Sequence, residues 1–239
     1  MKVIGVIPAR YGSKRFPGKP LAQLAGKPVV QWVVERANKA RRLDRVIVAT
    51  DDVRIMRAVW HFGGEAMLTS RTARSGTDRV AEVCKKLSAD VVINIQGDEP
   101  LISPKVIDRL VHVMLKDKRL LMATAAGPLR SESETRSENV VKVVLDRYEN
   151  ALYFTRAAVP HHLTRRGFRG ALQHYGIYAY RTKFLLKFAK WKQTPLELAE
   201  SLEQLRALEH GIRIRVVRIP KGSIGIDTKQ DLEKAKRYL

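Results

Sequence analysis

Three apolar runs constrain this chain more than any other feature: residues 3–7, 45–50 and 90–96. Their centres are continuously Val and Ile instead of alternating with polar residues. A strand that is apolar on both sides must be covered on both sides, as in a parallel sheet between two helical layers. The intervening segments carry helical signals. Pro28 opens a helix whose Val30, Val33, Val34 and Ala37 fall on one face. Asp51 or Asp52 caps a second helix running through Trp60 and stopped by Gly63-Gly64; a short strand follows at 65–68. The run Ser75-Gly76-Thr77-Asp78-Arg79 starts a helix reaching Leu87, and Ser103-Pro104 gives the next helix a hydroxyl cap and a first-turn proline. Strands alternating with helices predict an α/β fold with a mostly parallel central sheet flanked by helices.

From about residue 120 the pattern changes. Segments 121–126, 140–146, 151–155 and 176–180 read as strands with no regular helix between them, which predicts an antiparallel insertion over roughly 120–180. Helices are expected at 182–189 and 196–208, a strand at 214–219 and a closing helix at 230–238. No linker or repeat interrupts the chain, so residues 1–239 are read as a single domain with an embedded sub-region.

Charge is the unusual part of the composition. The formal net charge of +21 is spread along the length, from Arg41-Arg42 through Lys85-Lys86 and Arg165-Arg166 to Arg213–Arg218. No zinc finger or RNA-recognition signature accompanies it, so a solvated basic surface is the default, with room left for an extra anionic partner. The single Cys84 excludes an internal disulfide framework and fits a reducing compartment; its surroundings suit a helix core. No apolar run approaches a membrane span, and Met1-Lys2 leads straight into a strand.

Ligands of open α/β sheets bind beyond the carboxyl ends of the strands. The first strand opens there into Arg10-Tyr11-Gly12-Ser13-Lys14-Arg15-Phe16-Pro17-Gly18-Lys19-Pro20, a basic loop with two glycines, suited to a polyanion. It is not a Walker loop: five residues separate Gly12 from Gly18, and Pro20 stands where the magnesium-binding hydroxyl would be. No G-x-G-x-x-G is present. Asp98 lies at a second strand end and Asp227, after Ser223-Ile224-Gly225-Ile226, at a third. Carboxylates facing a basic loop suit metal-assisted nucleotide chemistry. Asp98 also fits a turn residue, and Asp227 competes with Thr228 as cap of the last helix. The histidines, with His161-His162 adjacent, show no metal spacing.

The ordered motifs are more specific. The segments 7–13 and 15–21 resemble the opening of the 3-deoxy-manno-octulosonate (Kdo) cytidylyltransferases. So, in order, do Ala49-Thr50-Asp51, Ser75-Gly76-Thr77-Asp78-Arg79, Gln96-Gly97-Asp98-Glu99-Pro100 and Val140-Val141-Lys142-Val143-Val144. The likeness continues through 151–156, 174–180, 200–206 and Gly225-Ile226-Asp227-Thr228, covering nearly the whole chain. The resemblance implies a nucleotide-diphospho-sugar transferase-like fold and a cytoplasmic homodimer. It implies Mg2+-dependent conversion of CTP and Kdo to CMP-Kdo and diphosphate, for lipopolysaccharide biosynthesis. Carried over by motif, Arg10 and Lys19 hold the triphosphate with Arg15 assisting, Ala9 belongs to the nucleotide site, and Arg74, Ser75 and Gly76 line the cytosine and ribose pocket. Asp98 and Asp227 are the implied metal ligands, and with Lys19 and Arg10 the catalytic set. Gln96, Arg156, His174, Tyr178, Glu200, Glu203 and Gln204 are implied for the sugar acid. No specific nucleic acid or membrane partner is implied. The alternatives are a related enzyme for an amino-substituted Kdo or a sialic acid and, from another class, a non-catalytic nucleic-acid-binding protein.

Overall fold

The structure, a computed structural model, describes residues 1–12, 15–161, 170–220, 222 and 225–238. Expectations placed on Ser13, Lys14, His162, Arg165, Arg166, Ser223 and Ile224 therefore lie outside the described residues. The first half is the expected βαβ series. Strand β1 (Val3–Ala9) leads through a two-stranded ribbon, β2 (Gln23–Leu24) and β3 (Lys27–Pro28), into helix α1 (Val29–Ala37). Then come β4 (Arg45–Thr50), α2 (Val53–His61), β5 (Glu65–Leu68), α3 (Gly76–Lys86), β6 (Val91–Asn94) and α4 (Pro104–Lys116).

The second half runs β7 (Met122–Pro128), the short α5 (Glu132–Arg136), β8 (Lys142–Leu145), β9 (Ala151–Thr155) and β10 (Ala171–Arg181). Helices α6 (Thr182–Phe188), α7 (Pro195–Glu200) and α8 (Gln204–Glu209) follow, then β11 (Ile214–Arg218) and α9 (Lys229–Lys236).

The sheet is ordered β11-β7-β10-β6-β1-β4-β5, with β8 pairing with β10 and β9 with β8. Strands β6, β1, β4 and β5 run parallel, as does β11 beside β7. Strand β10 is antiparallel to β6, β7 and β8, so the insertion enters the middle of the sheet instead of hanging from its edge. One face packs Val33, Ile55, Ile107 and Leu110 from α1, α2 and α4; the other packs Val80, Phe184, Phe188 and Leu205 from α3, α6 and α8.

Two local expectations are corrected. Residues 196–208 are not one helix: Ser201 takes a left-handed φ of 52° and separates α7 from α8. Ser103 precedes α4, but its side chain makes no capping hydrogen bond; Pro104 supplies the start.

Candidate active site

Strand β1 delivers buried Ala9 and exposed Arg10 to the carboxyl edge of the sheet. The chain then folds back until Gly18 N donates to Tyr11 O at 2.9 Å. Gly18 has φ 71°, and a Cβ there would lie 3.2 Å from the Tyr11 ring. Glycine suits both requirements. The guanidinium carbon of Arg54 lies 3.5 Å from the centre of the same ring, tying the loop to α2. The loop so closed sets down Lys19, whose side chain is 11% exposed.

Opposite it stand the two aspartates. A Cβ on Gly97 would come within 2.6 Å of Pro8 O, so this glycine lets the β6 edge pass against β1 and places Asp98 beside the loop. Ile226 N donates to Asp98 O at 2.8 Å, drawing the segment before α9 to the same point. Thr228, not Asp227, caps α9: Thr228 Oγ1 accepts from Asp231 N at 3.2 Å and Asp231 Oδ2 accepts from Thr228 N at 3.0 Å. Asp227 is thereby released from capping. A small core of Phe16, Leu24, Ile226 and Leu232 packs the loop against α9.

These elements bring the charges together. Lys19 Nζ donates to Asp98 Oδ2 at 2.6 Å and to Asp227 Oδ1 at 3.3 Å, and Arg15 Nη2 lies 2.9 Å from Asp227 Oδ2. The third wall is the start of α3, where Ser75 Oγ caps the helix by accepting from Asp78 N at 3.2 Å. Arg74 Nε is held at 3.2 Å by Asp78 and Arg74 Nη2 donates to Ala189 O at 3.2 Å. Ala9, Arg10, Arg15, Lys19, Arg74, Ser75, Gly76, Gln96, Asp98 and Asp227 all border one cleft of about 680 Å³. Every residue expected at the nucleotide and metal sites is thus in one place.

The donor chemistry fits a hard divalent cation in part. Asp98 and Asp227 offer carboxylate oxygens, as such ions require. Among the described residues no group of three His, Cys, Asp or Glu side chains could hold a metal. An ion here needs further oxygens from its ligand, which a nucleotide triphosphate supplies.

The residues expected at the sugar acid divide. Gln96 borders the cleft and donates from Nε2 to Gly176 O at 2.9 Å. Behind it, His174 Nε2 is 2.9 Å from Thr124 Oγ1, and the Tyr178 hydroxyl donates to Gln204 Oε1 at 3.1 Å. Burial pushes the His174 imidazole down to about 3 and the Tyr178 phenol up, so both stay neutral near pH 7. Gln204 is buried, and its Nε2 has no partner among the described residues. Arg156 and Glu200 form a separate knot: Arg156 N donates to Glu200 Oε2 at 2.8 Å and Arg156 Nε to Glu200 O at 2.9 Å. Burial works to raise the Glu200 carboxyl, but hydrogen bonds from Thr155, Arg156 N and Tyr153 outweigh it and hold the group low. Glu203 borders a second cavity of about 460 Å³ that also touches Arg74 and Ser75, and burial raises its carboxyl. Apart from Gln96, none of these residues borders the cleft holding Lys19.

Sequence reasoning did not single out Arg79, a buried cation on the cleft wall. The signal available was an arginine one turn inside a helix start, where an unpaired charge could not be buried.

Fold and cleft together define a nucleotidyltransferase. A family model described as cytidylyltransferase matches residues 4–214. The 3-deoxy-manno-octulosonate cytidylyltransferase of Geobacter metallireducens is 49% identical over 249 residues, covering 100% of this chain and 98% of that protein. The enzyme of the same description from Syntrophobacter fumaroxidans is 51% identical over 239 residues, covering 98% and 95%. A solved structure of CMP:2-keto-3-deoxy-manno-octonic acid synthetase complexed with CTP superposes with a TM-score of 0.96 at 43% identity, covering 100% of this chain and 98% of that one. The chain belongs to the cytidylyltransferase family, among the 3-deoxy-manno-octulosonate cytidylyltransferases.

Proposed function

We propose that the chain transfers CMP from CTP to Kdo, giving CMP-Kdo and diphosphate, in the service of lipopolysaccharide synthesis. The observation that carries the reading is the convergence of Arg10, Arg15 and Lys19 with Asp98 and Asp227 in one cleft. The relatives' descriptions supply the sugar acid.

In this reading the triphosphate lies along the loop after β1. Lys19, Arg10 and Arg15 take up its charge and stabilise the departing diphosphate in a preorganised site. Asp98 and Asp227 would hold Mg2+, which supplies Lewis-acid polarisation of the phosphate oxygens when bound. The nucleoside lies against Arg74, Ser75 and Gly76. The sugar acid enters from the Gln96 side, where neutral His174, the Tyr178 hydroxyl and the unused Gln204 amide suit recognition of a polyol. Arg156 suits the sugar's carboxylate by charge. The anomeric hydroxyl attacks the α-phosphorus directly, in line with the departing diphosphate, with no covalent enzyme intermediate.

We place the enzyme in the cytoplasm as a homodimer. No helix of the described residues is long and apolar enough to cross a membrane, and Tyr148, Leu152, Leu196 and Leu198 are exposed apolar side chains available to a subunit contact.

The test is diphosphate release from CTP with a panel of sugar acids. Turnover with Kdo above all others is expected. Activity confined to a nine-carbon or amino-substituted acid overturns the substrate. Salt-sensitive oligonucleotide binding with no CTP turnover favours the nucleic-acid alternative.

A further inference from the structure

Arg79 and Asp51 form an ion pair that the reaction as outlined above does not use. Arg79 Nη2 donates to Asp51 Oδ2 at 2.6 Å, with the two side chains 5% and 20% exposed. Arg79 Nη1 donates to Thr69 Oγ1 at 2.9 Å and to Ser70 O at 3.1 Å. One guanidinium therefore ties together three segments: the residue after β4, the loop after β5, and α3.

Ser70 is fastened a second time, because Ser70 N donates to Glu82 Oε2 at 2.7 Å. Residues 79 and 82 are three apart in α3 and so share a face of the helix. From Ser70 only five residues remain before Gly76, and they include Ala73, Arg74 and Ser75 of the cleft wall. A loop this short, fixed at both ends to one helix, has its course set by its anchors. The wall's position thus depends on Arg79.

A buried ion pair is a poor device for stability, since desolvating both charges offsets most of their attraction. Arginine's fixed fork is, however, well suited to holding several acceptors in one geometry, and lysine cannot reproduce it. Arg79 also borders the cleft that Lys19 lines.

We infer that Arg79, paired with Asp51, is a positioning residue that fixes the nucleoside-facing wall and so sets the affinity for CTP without taking part in the chemical step. The inference rests on reading the cleft as the CTP site. The wall from 73 to 76 faces the nucleotide; of the sugar-acid candidates, His174, Tyr178 and Gln204 border neither that cleft nor the neighbouring cavity, while Gln96 shares the cleft and Glu203 the cavity beside Arg74 and Ser75.

The test is steady-state kinetics of Arg79→Lys, Asp51→Asn and the double variant, with thermal unfolding alongside. For each single variant the Michaelis constant for CTP should rise about tenfold or more, kcat should fall less than about threefold, and the Michaelis constant for the sugar acid should stay put. The double variant should be no worse than the worse single one, because both changes break one pair. Unchanged CTP constants overturn the inference. So does a parallel drift of kcat and both Michaelis constants with the unfolding temperature, the mark of a merely structural role. A native enzyme that releases no diphosphate from CTP overturns the reading of the cleft, and this inference with it.

Discussion

Lys19 Nζ stands 2.6 Å from Asp98 Oδ2 and also reaches Asp227, so the ammonium holds the place between the two carboxylates that a metal ion would contest. A divalent cation held by these two carboxylates would have to displace the ammonium. Lys19→Met removes that competitor. Without nucleotide, its affinity for Mn2+ should exceed the native value by about tenfold, the equivalent of about 1.4 kcal/mol. Its turnover should fall by about two orders of magnitude, the scale for loss of one charge-stabilising donor. A Mn2+ titration followed by electron spin resonance checks the first; equal affinities would show that Lys19 does not guard the site.

Thr228 links the capping of α9 to the placement of Asp227. Its hydroxyl and the Asp231 carboxylate cap α9 reciprocally, leaving Asp227 to face Lys19. Thr228→Ala should cost about 1 kcal/mol of stability. It should also raise the Mg2+ concentration needed for half-maximal rate, because Asp227 is then recruited toward the helix end. Calorimetry with a Mg2+ titration of the rate decides this; a stability loss with an unmoved Mg2+ requirement would uncouple the cap from the site.

His174 gives a pH prediction with a definite sign. Burial lowers its folded-state value to about 3, from an ordinary 6.5. Between those values the unfolded chain binds a proton that the folded chain refuses, so stability rises with pH there. The resulting loss begins as pH falls below about 6.5 and accumulates down to about 3. His174→Gln should flatten this part of the curve. Urea midpoints measured from pH 4 to 8 should show native and variant chains converging toward the acid side; parallel curves would contradict it.

What the sequence disclosed follows from what each segment is asked to do. Strand β4 was legible to the residue and β1 and β6 within a few residues, because parallel strands covered on both faces stay apolar throughout. Strand β10 starts five residues before the apolar pattern shows it, since Gln173 and His174 put polar side chains into its first half. The break at Ser201 was hidden because Leu198, Leu202 and Leu205 keep a helical rhythm across it. For the site, the basic loop and both aspartates could be found from strand ends and motifs. Their convergence on Lys19 depended on the Ile226–Asp98 backbone bond, which no periodicity encodes. The partners of Arg79 are hidden for the same reason: they lie 9, 10 and 28 residues away.

Gly97 tests the packing that sets Asp98 in place. A Cβ would stand 2.6 Å from Pro8 O, a backbone atom that cannot move aside without shifting β1. Gly97→Ala should therefore destabilise the fold by about 1–3 kcal/mol, the usual cost of overpacking, and weaken turnover by displacing Asp98. Denaturant unfolding alongside rates checks both, and a fully stable, fully active variant would refute the packing argument.

The carboxylates around Lys19 are proposed to serve nucleotidyl transfer from CTP. The most direct measurement is the rate of diphosphate release from CTP and Kdo, with saturating Mg2+, by Asp98→Asn, a variant that keeps the shape and the hydrogen-bond acceptor facing Lys19. A fall of about three orders of magnitude is expected, with an unfolding temperature close to the native one. A rate within about tenfold of native, in a chain equally well folded, would contradict it.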